Sequence, residues 1–189
     1  MNPEKRTQSK QEEADVEKKE LSQEEREQGI HEIVAAINHH INQPLGIMAG
    51  KSEMPTIQPD LYIKEAYQMF AILHKQIDRM VKYVKSLRTF DFSSISAETK
   101  EDLVIKIAKQ ASEELEDLFQ SLQPFVTQLK KLDSEGWEKQ EKDISVIFNS
   151  WHRLHLFIEA LNGLDSGESE DYPDGSKITK IEYKFTSSE

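Results

Sequence analysis

Cysteine is absent from the 189-residue sequence, and this absence removes several kinds of chemistry at once. A chain without cysteine forms no disulfide, has no thiol nucleophile and offers no cysteine ligand to a metal ion. Glycine is scarce as well, because the seven glycines are scattered and form no glycine-rich loop of the kind that cradles phosphate groups. We therefore predict no metal site and no bound cofactor in this chain.

Basic surface and long apolar runs are also lacking. The net charge is −11, and 37% of the residues are hydrophobic. No apolar run approaches the roughly 20 residues that span a membrane, and the N-terminus has no apolar signal-peptide core. Because nucleic acids are bound through basic side chains that meet phosphate groups, nucleic acid is not an expected partner. These absences favour a cytoplasmic protein that does not bind membranes.

The apolar residues that are present recur at helical spacing. This pattern, together with 31% charged residues, is typical of long amphipathic helices with narrow apolar seams. We predict an all-α fold in which a long antiparallel hairpin of two helices is joined by two further helices in a bundle. The expected parts are a charged disordered tail (1–21), the hairpin (22–92), a two-helix extension (93–163), and an acidic loop with a strand-like tail (164–189).

Local signals set the expected limits of the hairpin. Ser22 and Glu25 form a capping box that begins the first helix, and Pro44 is expected to bend it. Glycine, serine and proline over 50–58 predict a turn, so the first helix should end near residue 49. A second helix is predicted from about 59 to 90. Folding the chain near residue 55 would then place Ala71 level with His39.

The second half of the chain carries weaker signals. Ser96 is a candidate N-cap for the third helix, which Pro124 is expected to kink or split. A fourth helix is predicted over about 136–162, and a flexible acidic loop over 164–177. Residues 178–185 alternate as a strand does, but no partner strand is evident in the sequence.

The most informative stretch lies within the first predicted helix, over residues 37–48. When it is projected at about 100° per residue, His39 lies almost opposite the apolar face, and Gln43 follows one turn later on the same outer stripe. The apolar face comprises Ile30, Val34, Ile37, Ile41, Leu45 and Met48, and the small residues on the outer stripe are Ala35, Gly46 and Gly50. We therefore expect an exposed imidazole with clear space around it.

Residues 39–45 read His-His-Ile-Asn-Gln-Pro-Leu and resemble the H-box of sensor histidine kinases, His-Glu-Ile-Asn-Gln-Pro-Leu, at six of seven positions. Residues 76–90 are similar to the second helix of the same dimerisation and phosphoacceptor domain, including its terminal Leu-Arg-x-Phe. The resemblance covers residues 22–92. It implies that His39 accepts a phosphoryl group, that two chains pair through helices one and two into a symmetric four-helix core, and that the partner is a response regulator or a kinase.

The sequence departs from the family at position 40, where His40 replaces glutamate. The resemblance implies that this glutamate helps to take the proton from the acceptor imidazole during attack on ATP. A neutral His40 can accept a proton, but a reference pKa of about 6.5 leaves it partly charged near neutrality. The ATP-binding domain of the family is also missing from the sequence. We therefore leave enzyme status open, as a kinase-related phosphotransferase without its own ATP-binding domain.

The predicted catalytic residues are His39 as acceptor, its neighbour His40, and Gln43, which can orient water or phosphoryl oxygens. Mg²⁺ would be supplied by the phosphotransfer partner. Five cations on helix two form either an ordinary solvated face or a docking surface for the acidic pocket of a response regulator: Lys75, Arg79, Lys82, Lys85 and Arg88. Two alternatives stay open, namely a catalytically degenerate scaffold that dimerises or sequesters a kinase or regulator, and a helical adaptor in which the H-box is fortuitous.

Overall fold

The structure is a computed structural model that describes residues 21–132 and 137–184. These residues form four α-helices and one antiparallel β-hairpin, which confirms the predicted all-α class. The elements are α1 (Gln23–Ile57), α2 (Lys64–Ser86), α3 (Lys100–Lys131), α4 (Glu138–Asn162), β1 (Ser169–Asp171) and β2 (Lys177–Thr179), with 3₁₀ turns at Pro59–Leu61 and Leu87–Thr89. The tail predicted to be disordered over 1–21 lies almost entirely outside the described residues. None of the described helices is both long enough and apolar enough to cross a membrane.

The four helices pack as one bundle around a shared apolar core. Helix α1 contacts α2, α3 and α4, while α3 contacts α2 and α4 as well. Phe70, Phe119 and Phe157 come from three different helices and are the largest fully buried side chains. Burying one such side chain contributes about 1.5–3 kcal/mol, so the core holds the helices in fixed register. Helices three and four therefore complete the bundle within one chain.

The capping box at the start of α1 is confirmed. The backbone N–H of Ser22 donates to the Glu25 carboxylate at 3.1 Å, and the backbone N–H of Glu25 donates to Ser22 Oγ at 3.3 Å. These two bonds satisfy donors that the first turn of a helix would otherwise leave unpaired. Arg26 then donates to the backbone oxygens of Phe92 and Ile95, which ties this end of α1 to the α2–α3 connection.

The predicted end of the first helix near residue 49 is wrong, because α1 continues to Ile57. Ser52 and Pro55 lie inside the helix and are buried, although both had indicated a turn. Ser52 Oγ lies 2.8 Å from His74 Nδ1 on α2. Burial against α2 thus outweighs the local preference of this segment for a turn. The chain reverses over 58–63 instead.

This longer helix changes which residues face one another across the hairpin. Because Ser52 meets His74, the level of His39 on α1 corresponds to the end of α2 rather than to its middle. Asn38 and Leu87 accordingly line the same groove. Ala71 lies beside the C-terminal end of α1, so the prediction that it is level with His39 is wrong.

Two local signals in the second half do not act as predicted, whereas the fourth helix agrees with its prediction. The N-cap of α3 is Thr99, not Ser96, because Thr99 Oγ1 accepts from the backbone N–H of Asp102 at 3.1 Å. Pro124 does not split α3, since it lies on the exposed face, where water can satisfy the carbonyl group that loses its partner. Helix α4 (Glu138–Asn162) agrees with the helix predicted over about 136–162, and residues 133–136 lie outside the described residues.

The strand-like tail has a partner within its own chain. β2 pairs with β1 in antiparallel register, with Glu170 opposite Ile178. The prediction of a flexible loop over 164–177 is wrong at 169–171, which form β1. The pattern over 178–185, for which no partner was evident in the sequence, forms a strand only as far as Thr179. β1 reads Ser-Glu-Asp and shows no apolar alternation, so its sequence contains no strand signal. Phe185, the last residue of the predicted alternation, lies outside the described residues.

Candidate functional site

His39 lies in the middle of α1, on the side away from the core, and its side chain is exposed. The expected exposure of this imidazole is thus present, but the expected clear space around it is not. Tyr172 Oη lies 2.7 Å from His39 Nδ1 and 3.4 Å from Nε2, and the two ring centroids are 4.8 Å apart. Because the hydroxyl is this close to both ring nitrogens, it lies over one face of the imidazole and not in the ring plane in line with either nitrogen.

A tight turn between β1 and β2 positions Tyr172. The backbone N–H of Tyr172 donates to the carbonyl of Ser176 at 2.8 Å, and the N–H of Gly175 donates to the carbonyl of Tyr172 at the same distance. Gly175 has φ +84°, a left-handed conformation that favours glycine, and Pro173 restricts φ at the second turn position. The Pro-Asp-Gly sequence therefore specifies the turn that places the phenol over His39.

His40 points toward the bundle rather than outward. Its ring stacks on Phe157 of α4 at a centroid distance of 5.1 Å, and Tyr183 Oη lies 3.3 Å from its Nδ1. No described residue bonds its buried Nε2. The pKa of His40 is lowered to about 4, mainly by burial and then by the nearby charges of His39 and Arg153. The ring is therefore neutral near pH 7 but is a weak base.

Gln43 is exposed one turn beyond His39, and Arg153 of α4 donates through Nη2 to Gln43 Oε1 at 3.1 Å. The guanidinium therefore lies beside α1, where its positive charge helps to lower the pKa of His40. Next to it is an open groove of about 670 Å³, lined by His40, Arg153, Ile181, Glu182, Tyr183 and Lys184.

Three residues of this site were missed in the sequence: Arg153, Tyr172 and Tyr183. Each is distant from residues 39–45 along the chain and reaches them only because α4 and the β-hairpin pack beside α1. No spacing rule links them to the H-box. A recognised hairpin turn at Pro173–Gly175 would have marked Tyr172 as a fixed residue, but it would not have shown what Tyr172 contacts.

The five predicted docking cations, four on α2 and Arg88 in the 3₁₀ turn that follows it, are all exposed. Lys82 pairs with Asp78 at 2.7 Å, and Arg79 donates to Gln76 at 3.0 Å. Pairs of this kind on the surface are weak and are readily exchanged for other partners. The row therefore remains accessible to an acidic protein surface.

Two buried carboxylates lie away from His39 and hold the bundle together. Asp143 of α4 is paired with Lys51 at 2.8 Å and Lys139 at 2.5 Å, and accepts a hydrogen bond from Tyr62. Glu32 of α1 is paired with Lys100 at 2.9 Å. Burial alone would raise the pKa of Asp143, but hydrogen bonds from its three partners outweigh this effect and lower it. These groups link helices to one another and have a structural role.

Within residues 21–132 and 137–184, no group of three or more histidines and carboxylates is arranged to hold a metal ion. Comparison of the chain with family models, curated proteins and solved structures gave no match. The functional argument therefore depends on the sequence resemblance and on the geometry around His39.

Proposed function

We propose that this chain is a two-component phosphotransfer protein, in which His39 accepts a phosphoryl group and relays it to or from a response regulator. The observation that carries the proposal is an exposed imidazole on the H-box helix, with Arg153 beside the next turn of that helix. An acceptor histidine must be reachable by the active site of another protein. The exposure of His39 meets this requirement, and the bundle behind it provides a rigid support.

The reaction begins with the neutral imidazole attacking the phosphorus of an aspartyl phosphate on the partner. A nitrogen–phosphorus bond forms, the phosphorus–oxygen bond to the aspartate breaks, and the electron pair remains on the released carboxylate. The ring carries one positive charge at this point and can lose its proton to water later. Catalysis depends mainly on positioning and on Mg²⁺ held by the partner, as is general for phosphoryl transfer.

The neighbouring residues have unequal parts in this scheme. We assign the orientation and neutralisation of phosphoryl oxygens to Gln43 and Arg153, which are bonded to each other one turn beyond His39. The placement of His40 favours packing over proton transfer, because its ring stacks on Phe157 and its pKa is about 4. Transfer from an aspartyl phosphate to His39 needs no strong base at position 40, since the leaving carboxylate is already a stable anion.

The partner we favour is a response regulator that docks on the exposed cations of α2. Its phosphorylation pocket is acidic, and a row of lysines and arginines offers the complementary charge. The groove lined by Asn38, Leu87 and Arg88 lies between this row and the H-box helix. A partner kinase, the homodimer through α1 and α2, the supply of Mg²⁺ by the partner and the cytoplasmic location stay predictions. The apolar faces of α1 and α2 are already covered by α3 and α4, so a dimer would need other surfaces.

The test compares wild type, His39→Ala and His31→Ala, offered either labelled acetyl phosphate or labelled phosphorylated response regulators with Mg²⁺. His31 is an exposed histidine on the same helix and is the matched control. We expect acid-labile label on wild type and His31→Ala and none on His39→Ala, with helicity by circular dichroism unchanged in all three. Equal labelling of wild type and His39→Ala would refute the proposal, as would the absence of label from every protein with every donor.

The alternative is a catalytically degenerate scaffold that sequesters a kinase or regulator. The withdrawal of His40 into a stack with Phe157 favours it, because the position that holds the family glutamate then offers no exposed proton acceptor. A scaffold would bind a regulator without taking up its phosphate, and His39→Ala would bind as tightly as wild type. Measuring binding and labelling on the same samples separates the two functions.

A further inference from the structure

We propose that Tyr172 is a specificity-determining residue, whose phenol occupies one face of His39 and admits only those partners whose pocket leaves room for it. This inference rests on the proposed function, because it concerns which phosphoryl donors reach the acceptor. Tyr172 Oη lies 2.7 Å from Nδ1 and 3.4 Å from Nε2 of the imidazole. The two ring planes meet at 71°, so the phenol stands edge-on to the imidazole, with its hydroxyl end against the face of that ring.

A covered face does not by itself prevent attack by the imidazole. The lone pair of a neutral ring nitrogen lies in the plane of the ring, so a new bond to phosphorus forms at the ring edge and not over a face. His39 is exposed in spite of its contact with Tyr172, so solvent reaches the ring from the sides that the phenol leaves uncovered. A small donor such as acetyl phosphate can therefore approach along the ring plane without meeting the phenol.

A protein donor meets a different restriction. The phosphorylated aspartate of a response regulator lies in a pocket, and the walls of that pocket pass on both sides of the imidazole when the phosphorus reaches a ring nitrogen. One side of His39 is already filled by the phenol, whose ring centroid is 4.8 Å from the centroid of the imidazole. A partner side chain at the same place would overlap the phenol, and such overpacking is costly. The regulator that fits has a small residue or a gap there.

The β-hairpin that carries Tyr172 is fastened to the bundle. Its turn is closed by two hydrogen bonds of the Tyr172 backbone. Ile178 and Thr179 of β2 are buried, β2 contacts α1, and Ser169 Oγ donates to Glu32 at 2.5 Å. A docking partner would have to break these contacts to push the hairpin aside, so we expect the phenol to stay beside the imidazole during docking.

The test measures labelling of wild type, Tyr172→Ala and Tyr172→Phe by acetyl phosphate and by a panel of phosphorylated response regulators with Mg²⁺. Alanine removes the ring but keeps the backbone groups that close the turn, and phenylalanine keeps the ring as the matched control. We expect Tyr172→Ala to take up label about tenfold faster from the regulators that label wild type slowly, because one steric overlap is relieved. Labelling by acetyl phosphate, and all rates of Tyr172→Phe, should stay close to wild type.

Three results would overturn the inference while leaving the proposed function intact. The first is a spread of rates across the panel that is no narrower in Tyr172→Ala than in wild type. The second is an equal change with the regulators and with acetyl phosphate, which would place Tyr172 in the transfer chemistry. The third is a Tyr172→Phe that behaves like Tyr172→Ala, which would show that the bulk of the ring is not what excludes partners.

NMR of the full chain tests the contact without any phosphoryl donor. We expect nuclear Overhauser effects between the ring protons of Tyr172 and the Hε1 proton of His39, whose signal is identified by its loss in His39→Ala. Absence of these effects in wild type would also overturn the inference. If the effects are seen but no protein takes up phosphate from any donor, the proposed function fails, and the selection of donors by Tyr172 fails with it.

Discussion

Acidification from pH 7 to pH 5 should destabilise this protein through His40. The pKa of His40 is about 4 in the folded chain, because burial and then the charges of His39 and Arg153 oppose its protonation, against 6.5 for an unperturbed histidine. A histidine whose pKa is lower in the folded chain than in the unfolded chain stabilises the fold at pH values above its unfolded pKa. That stability is lost as the pH falls from about 6.5 toward 4, because only the unfolded chain binds the proton.

The magnitude follows from the two pKa values. If the whole difference between the folded and unfolded pKa of His40 acts on stability, the free energy of unfolding falls by about 2 kcal/mol between pH 7 and pH 5. Because the His40 ring is only partly buried, screening by solvent reduces this loss of unfolding free energy, and we expect a loss of about 1–2 kcal/mol. Buried carboxylates do not interfere in this range, since Glu32 and Asp143 have lowered pKa values and lose their stabilising charge only at lower pH.

The assay is urea unfolding of wild type and His40→Phe at pH 7, 6 and 5. Phenylalanine keeps a ring against Phe157 but does not titrate. The difference in unfolding free energy between the two proteins should change by about 1–2 kcal/mol over this range, in favour of the variant at low pH. An NMR titration of the wild type should show His40 with a midpoint near pH 4. If the unfolding free energies of wild type and His40→Phe changed in parallel with pH, or if His40 titrated with a midpoint near 6.5, the explanation given for His40 would be refuted.

Two further sets of substitutions test the bundle and the docking surface. Asp143→Asn should destabilise the fold by about 3 kcal/mol in urea, because it leaves two lysines without their buried counter-charge. Asp78→Asn, which breaks an exposed pair, should have little effect; equal losses would contradict the structural role of Asp143. Lys82→Glu combined with Lys85→Glu should slow transfer from a phosphorylated regulator while leaving labelling by acetyl phosphate unchanged. If the double substitution slowed labelling by the regulator and by acetyl phosphate equally, the two lysines would act on the transfer chemistry and not on docking of the regulator.

Local signals in the sequence predicted the start of α1 and the outward position of His39. Ser22 and Glu25 form a reciprocal cap that involves only neighbouring residues, so no tertiary contact is needed to recognise it. The direction of His39 follows from helical periodicity around a clear apolar face. The all-α class was predictable for the same reason.

The end of α1 and the surroundings of His39 depend on contacts that are distant in sequence. Pro55 indicates a turn locally, yet its ring is buried in the bundle, and Ser52 bonds to His74 on the next helix. Tyr172 lies 133 positions after His39 and reaches it only through the packing of the hairpin on α1. β1 was missed because a strand of three polar residues carries no apolar pattern.

The most direct measurement is to locate the phosphoryl group after transfer from a labelled, phosphorylated response regulator to the full chain. Mass spectrometry of peptides kept at neutral pH identifies the modified residue, and a known histidine phosphotransfer domain serves as the positive control for each donor. The account predicts that the group is found on the imidazole of His39. Modification of a different residue, or an unmodified His39 while the positive control is labelled by the same regulators, would contradict it.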